Sequence, residues 1–255
     1  MAKKALAFIE VEGVQEITRY TQIRIDQHLF GHHEFRIQVP IESIEGEGNF
    51  VFNKSKEFIG KVVRISLESD LLTDAKSPAF VGIITDVGFA RAFGSSNELI
   101  LKGKSTTVLL DNGRNYRSFA EKGLSDIVKE VMKEYPANVL SCKADPEHTD
   151  PIPYVVQYKE SNFNFLQRIA NRYGEWIYYN GSELVFGKLD LPRAIPLLLG
   201  RDLYDFNLKL SLAATNYEQK YYNYEKSEVY TSASKDKKIS HFDPAYGELA
   251  FNESG

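Results

Sequence analysis

Residues 154–179 read Tyr154-Val-Val-Gln-Tyr-Lys-Glu-Ser-Asn-Phe-Asn-Phe-Leu-Gln-Arg-Ile-Ala-Asn-Arg-Tyr-Gly-Glu-Trp-Ile-Tyr-Tyr179, and their order decides the kind of fold. Tyr154 to Tyr158 is β-branched and aromatic, the composition of a strand that Gln157 and Tyr158 bring to its end. Asn162 stands where a side-chain oxygen caps a helix. Phe163, Leu166, Ile169, Ala170 and Tyr173 then recur on one helical face, and Arg168 falls off that stripe. Gly174 suits the left-handed position just past a helix end. Trp176 to Tyr179, Asn180-Gly181 and Glu183 to Phe186 read as a hairpin, because Asn-Gly is the preferred pair for a tight type I′ turn.

Upstream, Leu124, Ile127, Val128, Val131 and Met132 repeat at i, i+3, i+4, i+7, i+8, one apolar face of a helix that Pro136 ends. Ser118 and Glu121 have capping-box spacing, but Gly123 lies directly before the stripe, so the helix is expected to begin near Leu124. The first hundred residues are strands: Leu6–Val11, Gln22–Asp26, Glu34–Val39, Lys61–Leu67, Phe80–Val87 and Glu98–Lys102, with turn signals between them. Short strands in that rhythm predict a sandwich or barrel. Downstream, Pro192 and Pro196 mark a boundary. Phe206–Leu212 alternates as a strand, Tyr217–Tyr230 reads as strand and loop, and residues 236–255 carry no helix signal. The chain thus divides into 1–110, a first β domain; 111–190, an α+β unit with two helices and a hairpin; and 191–255, strands that complete the β domains.

The 255 residues carry 31 Lys and Arg against 35 Asp and Glu, a net charge of −4. That balance argues against a nucleic-acid binder, which presents a basic face. Lys235, Lys237 and Lys238 are the densest basic group, and Asp236 sits among them, as in a solvated loop. Cys142 is the single cysteine, so no intrachain disulfide forms. The apolar run Ala5–Ile9 is too short for a signal-peptide core. No stretch reaches membrane-spanning length.

The strand ending Gln157-Tyr158, the acidic-polar turn after it, Phe163-x-Phe165-x-x-Arg168 with Leu166, and Gly174 followed by an aromatic strand through Tyr178 together resemble the signature of the VgrG spike proteins of type VI secretion. The helix Leu124–Tyr135, preceded by Phe119, is similar to that family as well. So is Phe80-Val-Gly82-Ile-Ile-Thr-Asp-Val87. The resemblance is strongest over residues 60–190. It implies a mostly β, α+β chain with two β-barrel tube-type domains around a small helical unit. It implies a structural base, not an enzyme and needing no cofactor. Three copies would form a ring that joins a hexameric Hcp-like tube protein to a puncturing needle with its tip or effector, beside baseplate proteins. The family's OB-like and needle regions are not read in these residues and are expected on another segment or chain. The resemblance also implies synthesis in the bacterial cytoplasm, assembly at the envelope and ejection by the apparatus. A hub of a phage tail or extracellular contractile particle shares the same base. The cluster Tyr217, Tyr221, Tyr222 and Tyr224 fits either ordinary strands or an interface, where tyrosine buries area while keeping a polar tip.

Reactive chemistry finds little support. Gly103-Lys-Ser-Thr106 matches the end of a phosphate-binding loop, but position 98 is Glu where the pattern requires Gly. His28, His32 and His33 surround Gly31, with a hairpin tip favoured over a zinc site. Asp145, His148 and Asp150 read as a polar loop. Cys142 has no neighbouring histidine, and no Gly-x-Ser-x-Gly elbow exists. A glycan hydrolase, the rival of another class, would need facing carboxylates such as Asp70/Asp74 or Asp202/Asp205. Asn53 and Asn252 head glycosylation triplets that mean nothing without a secretory signal.

Overall fold

The computed structural model describes residues 5–14, 16–44, 56–69, 80–90, 97–189, 196–200, 203, 205–207 and 217–234. The fold is mostly β, as the strand rhythm predicts. The chain divides into two compact units, Met1–Leu191 and Pro192–Gly255.

In the first unit, β1 (Ala5–Val11), β2 (Glu16–Ile17), β3 (Gln22–Asp26), β4 (Glu34–Pro40), β5 (Val62–Ser69), β6 (Phe80–Ala90) and β7 (Glu98–Ser105) build one sheet. Their order is β2-β1-β5-β6-β7-β4-β3, and every pairing is antiparallel. Alternation explains the sheet's inner face: Phe35, Ile37 and Val39 on β4, Val63 and Ile65 on β5, and Leu99 and Leu101 on β7 are buried. A fully buried side chain of this size contributes about 1.5–3 kcal/mol. Gly82 and Gly103 flank Phe35, and a Cβ on Gly103 would lie 2.0 Å from the Ile83 carbonyl and 2.4 Å from the Phe35 ring. The Gly103-Lys-Ser-Thr106 run is therefore a strand end built for close packing, followed by a 3-10 helix over Thr106–Asp111.

A second core follows. Strand β8 (Asn115–Lys122) pairs with β10 (Ile152–Glu160), and β9 (Cys142–Asp145), β11 (Trp176–Tyr179) and β12 (Leu184–Gly187) form a three-stranded sheet in the order β11-β12-β9. Helix α1 (Leu124–Met132) begins where its apolar period begins and buries Leu124, Ile127, Val128 and Val131. Helix α2 (Asn162–Tyr173) buries Phe163, Phe165, Leu166, Ile169 and Ala170 and closes on Gly174 at φ +70°.

Three local readings change. The cap of α2 is Ser161, not Asn162: Ser161 holds the extended conformation and its hydroxyl accepts from the Asn164 amide at 3.1 Å. Asn162 enters the first helical turn and is fully buried. Strand β10 runs past Tyr158 to Glu160 through an irregularity, with Lys159 at φ +53°. The β11–β12 connection has four residues rather than a two-residue type I′ turn, since Tyr179 pairs with Leu184. Asn180 Oδ1 accepts from the Ser182 and Glu183 amides, each at 3.0 Å, which fixes the longer loop.

The two cores of this unit are tied together. Tyr179 leaves β11 to pack in the large sheet's core, and its hydroxyl donates to the Val81 carbonyl at 2.9 Å. The Val81 amide donates in turn to the Gly181 carbonyl at 2.7 Å.

Within the second unit, β13 (Glu218–Asn223) and β14 (Glu228–Ala233) form a hairpin. The Phe206–Leu212 strand lies almost wholly outside the described residues: Phe206 and Asn207 alone are described, and both are exposed and outside any strand. Residues 236–255 lie outside them as well.

Candidate assembly surface

The stretch 154–179 folds around a buried polar knot. Asn162 Oδ1 accepts from Asn115 Nδ2 at 3.0 Å, Arg117 Nη2 at 2.9 Å and Gln157 Nε2 at 2.9 Å. Asn162 Nδ2 donates to Glu134 Oε2 at 3.1 Å and to the Tyr135 hydroxyl at 2.6 Å. One side chain thus joins β8, β10, α2 and the chain just after α1. Gln157 is fully buried: its Nε2 donates also to the Glu160 carbonyl at 3.2 Å, while its Oε1 has no hydrogen-bond partner. Burial pushes the Tyr135 hydroxyl's pKa up, against the opposing effect of its bond with Asn162.

Arg168 lies outside the apolar face and works on β10. Its guanidinium donates to the Val156 carbonyl and to the Glu160 carboxylate, both at 2.6 Å. It occupies a backbone acceptor of a strand that, among the described residues, pairs with β8. Tyr178 is half-buried on β11.

Opposite the knot, β8 and β10 present an aromatic face. Tyr116, Tyr154 and Tyr158 are 62%, 62% and 71% exposed, and Val156 lies between the last two. Tyr116 and Tyr158 are register partners whose rings meet edge to face at 5.3 Å.

The β13–β14 hairpin is exposed on both faces. Tyr221 stacks on its register partner Tyr230 at 6.3 Å on one face, while Tyr222 pairs with Val229 on the other. Tyr217 and Tyr224 are exposed as well. Asn223 Oδ1 accepts from the Glu225 and Lys226 amides and holds the turn. A two-stranded hairpin with open faces is marginally stable in water, so these tyrosines gain from being covered.

The residues considered for chemistry fall elsewhere. His32 bridges Thr107 Oγ1 and Asp111 Oδ2, each at 2.8 Å. The order hydroxyl, imidazole, carboxylate is that of a nucleophile and its base, but Thr107 is 1% exposed and meets no substrate. His33 is buried rather than at a hairpin tip. His148 packs against Tyr173, and the backbone amides of Glu147 and His148 are held by Glu175. Among the described residues no group of three His, Cys, Asp or Glu is placed to hold a metal ion. Asp70, Asp74, Asp202, Asn53 and Asn252 lie outside the described residues, and Asp205 is exposed.

Cys142 sits on β9, where burial, with a smaller effect of Glu183, pushes its thiol up to about 12. Thiolate is the reactive form. In the native chain at pH 8 an aromatic disulfide reagent is expected to modify Cys142 at least about a hundredfold more slowly than in urea. Equal rates would contradict the half-buried placement of Cys142 against the second core.

A comparison with curated proteins finds no match. Among solved structures, the chain is similar to the 43 kDa tail protein of prophage MuSo2 from Shewanella oneidensis, with TM-score 0.59, 14% identity, and coverage of 78% of this chain and 58% of that one. It is similar to the tail protein from Neisseria meningitidis MC58, with TM-score 0.53, 18% identity and coverage of 73% and 51%. It is also similar to the E. coli c3393 protein, a component of the type VI secretion system, with TM-score 0.53, 13% identity and coverage of 70% and 48%. The chain therefore spans about half the length of these proteins. Likeness at such identities establishes a shared fold. A family model described as phage tail baseplate hub (GPD) matches residues 51–250. With well over half of its length inside that match, the chain belongs to the phage tail baseplate hub family.

Proposed function

We infer that this chain is the structural base of an injection spike. Three copies form a ring that joins a hexameric Hcp-like tube to a puncturing needle, the needle carries a tip or effector, and baseplate proteins surround the ring. The family match over residues 51–250 carries this reading. The β13–β14 hairpin supports it, because tyrosines on two open faces suit burial between subunits. The mechanism is mechanical: a closed ring passes the force of sheath contraction, and its subunit interface is expected to be of obligate size, ~2,000 Å² or more. No cofactor takes part. In this role the chain is made in the bacterial cytoplasm and leaves with the apparatus.

The same base serves a phage tail or an extracellular contractile particle. Two of the structures named above are tail proteins, which favours this second reading beside the type VI one.

Light scattering across a concentration range tests the ring. A mass near three times 29 kDa is expected. Tyr221→Ser with Tyr222→Ser is expected to weaken the trimer at least about tenfold, since buried interface tyrosines rank among the strongest contributors. A monomer at every concentration would show that this segment does not close the ring by itself.

A further inference from the structure

Residues 27–33, between β3 and β4, reach from the large sheet to the second core. Three contacts fasten them there. Gln167 Nε2 on α2 donates to the Phe30 carbonyl at 2.6 Å. Phe30, at φ +61°, stacks on Trp176 with ring centres 5.7 Å apart. His32 spans Thr107 and Asp111 and lies 4.2 Å from the Phe163 ring. Asp111 is held in turn by the Ser161 hydroxyl at 2.6 Å. The loop is thus pinned to the 3-10 helix, to α2 and to β11.

Next to His32, His33 is fastened to the sheet: its amide donates to Ser105 Oγ at 3.1 Å, and its carbonyl accepts from the Ser105 amide at 2.8 Å. Its ring is buried between Phe80 and Tyr179, at centroid distances of 6.3 and 5.5 Å.

The two histidine rings are differently surrounded. At His32 a polar partner stands against each ring nitrogen, the Thr107 hydroxyl and the Asp111 carboxylate. A protonated His33 carries a hydrogen on both ring nitrogens, Nδ1 among them, and that buried atom has no hydrogen-bond partner. A buried N–H without an acceptor is costly, and a buried cation more so. Desolvation outweighs what the groups facing His33 supply. From its own loop, a backbone hydrogen bond at His28 favours the charged ring, and the coulombic effects of His28 and His32 oppose it. From β6 comes Phe80, from β7 the Ser105 hydroxyl, and from β11 Tyr179, whose own charged neighbours are Arg64 and Glu183.

We propose that residues 27–33 form an acid-released clasp between the two cores of the first unit, with the His33 ring as its trigger. Desolvation acts in the same direction by lowering the His33 pKa from its ordinary 6.5, against a backbone hydrogen bond at His28 that raises it. The unfastened loop, with His33 in water, binds a proton that the fastened loop rejects. Fastening is therefore strongest above pH 6.5 and weakens as pH falls through that value and below it.

Trp176, the chain's single tryptophan, stacks on Phe30 of the clasp and reports on it. In the full chain, titration from pH 8 to pH 5 is expected to shift Trp176 emission to the red, with a midpoint below 6.5 and far-UV circular dichroism unchanged. His33→Phe is expected to abolish the shift, whereas His28→Gln retains it. A His33→Phe chain that titrates like the parent, or a parent with no shift before global unfolding, overturns the proposal. Should His33→Phe fail to fold, amide exchange of the parent at pH 7.5 and 5.5, corrected for intrinsic rates, decides. Protection lost at His33 and Ser105 ahead of β6 and β12 supports the clasp, and protection retained at both amides overturns it.

Discussion

Asn162→Ala is expected to lower stability by about 1–3 kcal/mol, the cost of leaving buried polar groups without their partner. The substitution deletes an acceptor shared by Asn115, Arg117 and Gln157 and a donor shared by Glu134 and Tyr135. The bonds among neutral groups contribute modestly, about 1 kcal/mol each. The larger part of the effect is the desolvation left behind. Gln157 has no exposed surface, and the Arg117 side chain is 17% exposed, with Glu134 at 3.0 Å as its remaining partner. Alanine also leaves space where the amide stood, with the added cost of a cavity. Urea titration followed by circular dichroism measures the difference. A loss below about 1 kcal/mol would mean that water enters and replaces the five bonds.

Gly103→Ala is expected to be as damaging or worse, about 4 kcal/mol or more, through backbone collision rather than lost bonding. The added carbon would stand 2.0 Å from the Ile83 carbonyl on β6 and 2.4 Å from the Phe35 ring on β4. Neither is the free end of a flexible side chain. Relief requires β6 and β7 to part, with loss of ladder bonds, or Phe35 to leave a core where it meets Phe80 at 5.7 Å. Gly82→Ala meets the same ring and the Lys104 carbonyl at 2.7 Å and is expected to cost less. Gly88→Ala, also on β6, has nothing within 4 Å and serves as the control, within about 0.5 kcal/mol of the parent. Thermal melting of the three variants separates collision from a general intolerance of side chains on this sheet. The same result would show that the glycine in the phosphate-loop-like run is there for packing.

Much of the fold was legible because its signals are local. Helix α1 starts at the residue where its apolar period starts, and the alternation on β4 is enough to place Phe35, Ile37 and Val39 inside. Strand β8 was not legible, since Phe119 is its one buried hydrophobic residue and Asn-Tyr-Arg-Ser resembles a loop. Its strand state comes from pairing with β10, more than thirty residues away. The polar knot escaped for a related reason. Asn162 is a good capping residue by composition, but Ser161 takes the cap, and the value of Asn162 lies in partners on three other segments. The loop after β11 shows the same limit: Asn180-Gly181 signals a turn, while the Gly181 carbonyl is claimed by Val81, 100 residues earlier in the chain. The tyrosines of the hairpin were identifiable as a cluster, but only the structure shows that they occupy both of its faces.

The Tyr179 side chain bears on how the molecule is divided in practice. A fragment ending near residue 110 would contain the pocket of Phe80 and His33 without the phenol that fills it. A fragment beginning there would carry that phenol into water, together with a Gly181 carbonyl lacking its donor. Neither piece would be a faithful miniature of its part, and a calorimetric scan of residues 1–191 should contain one heat-absorption peak where the composition of the two halves suggests two.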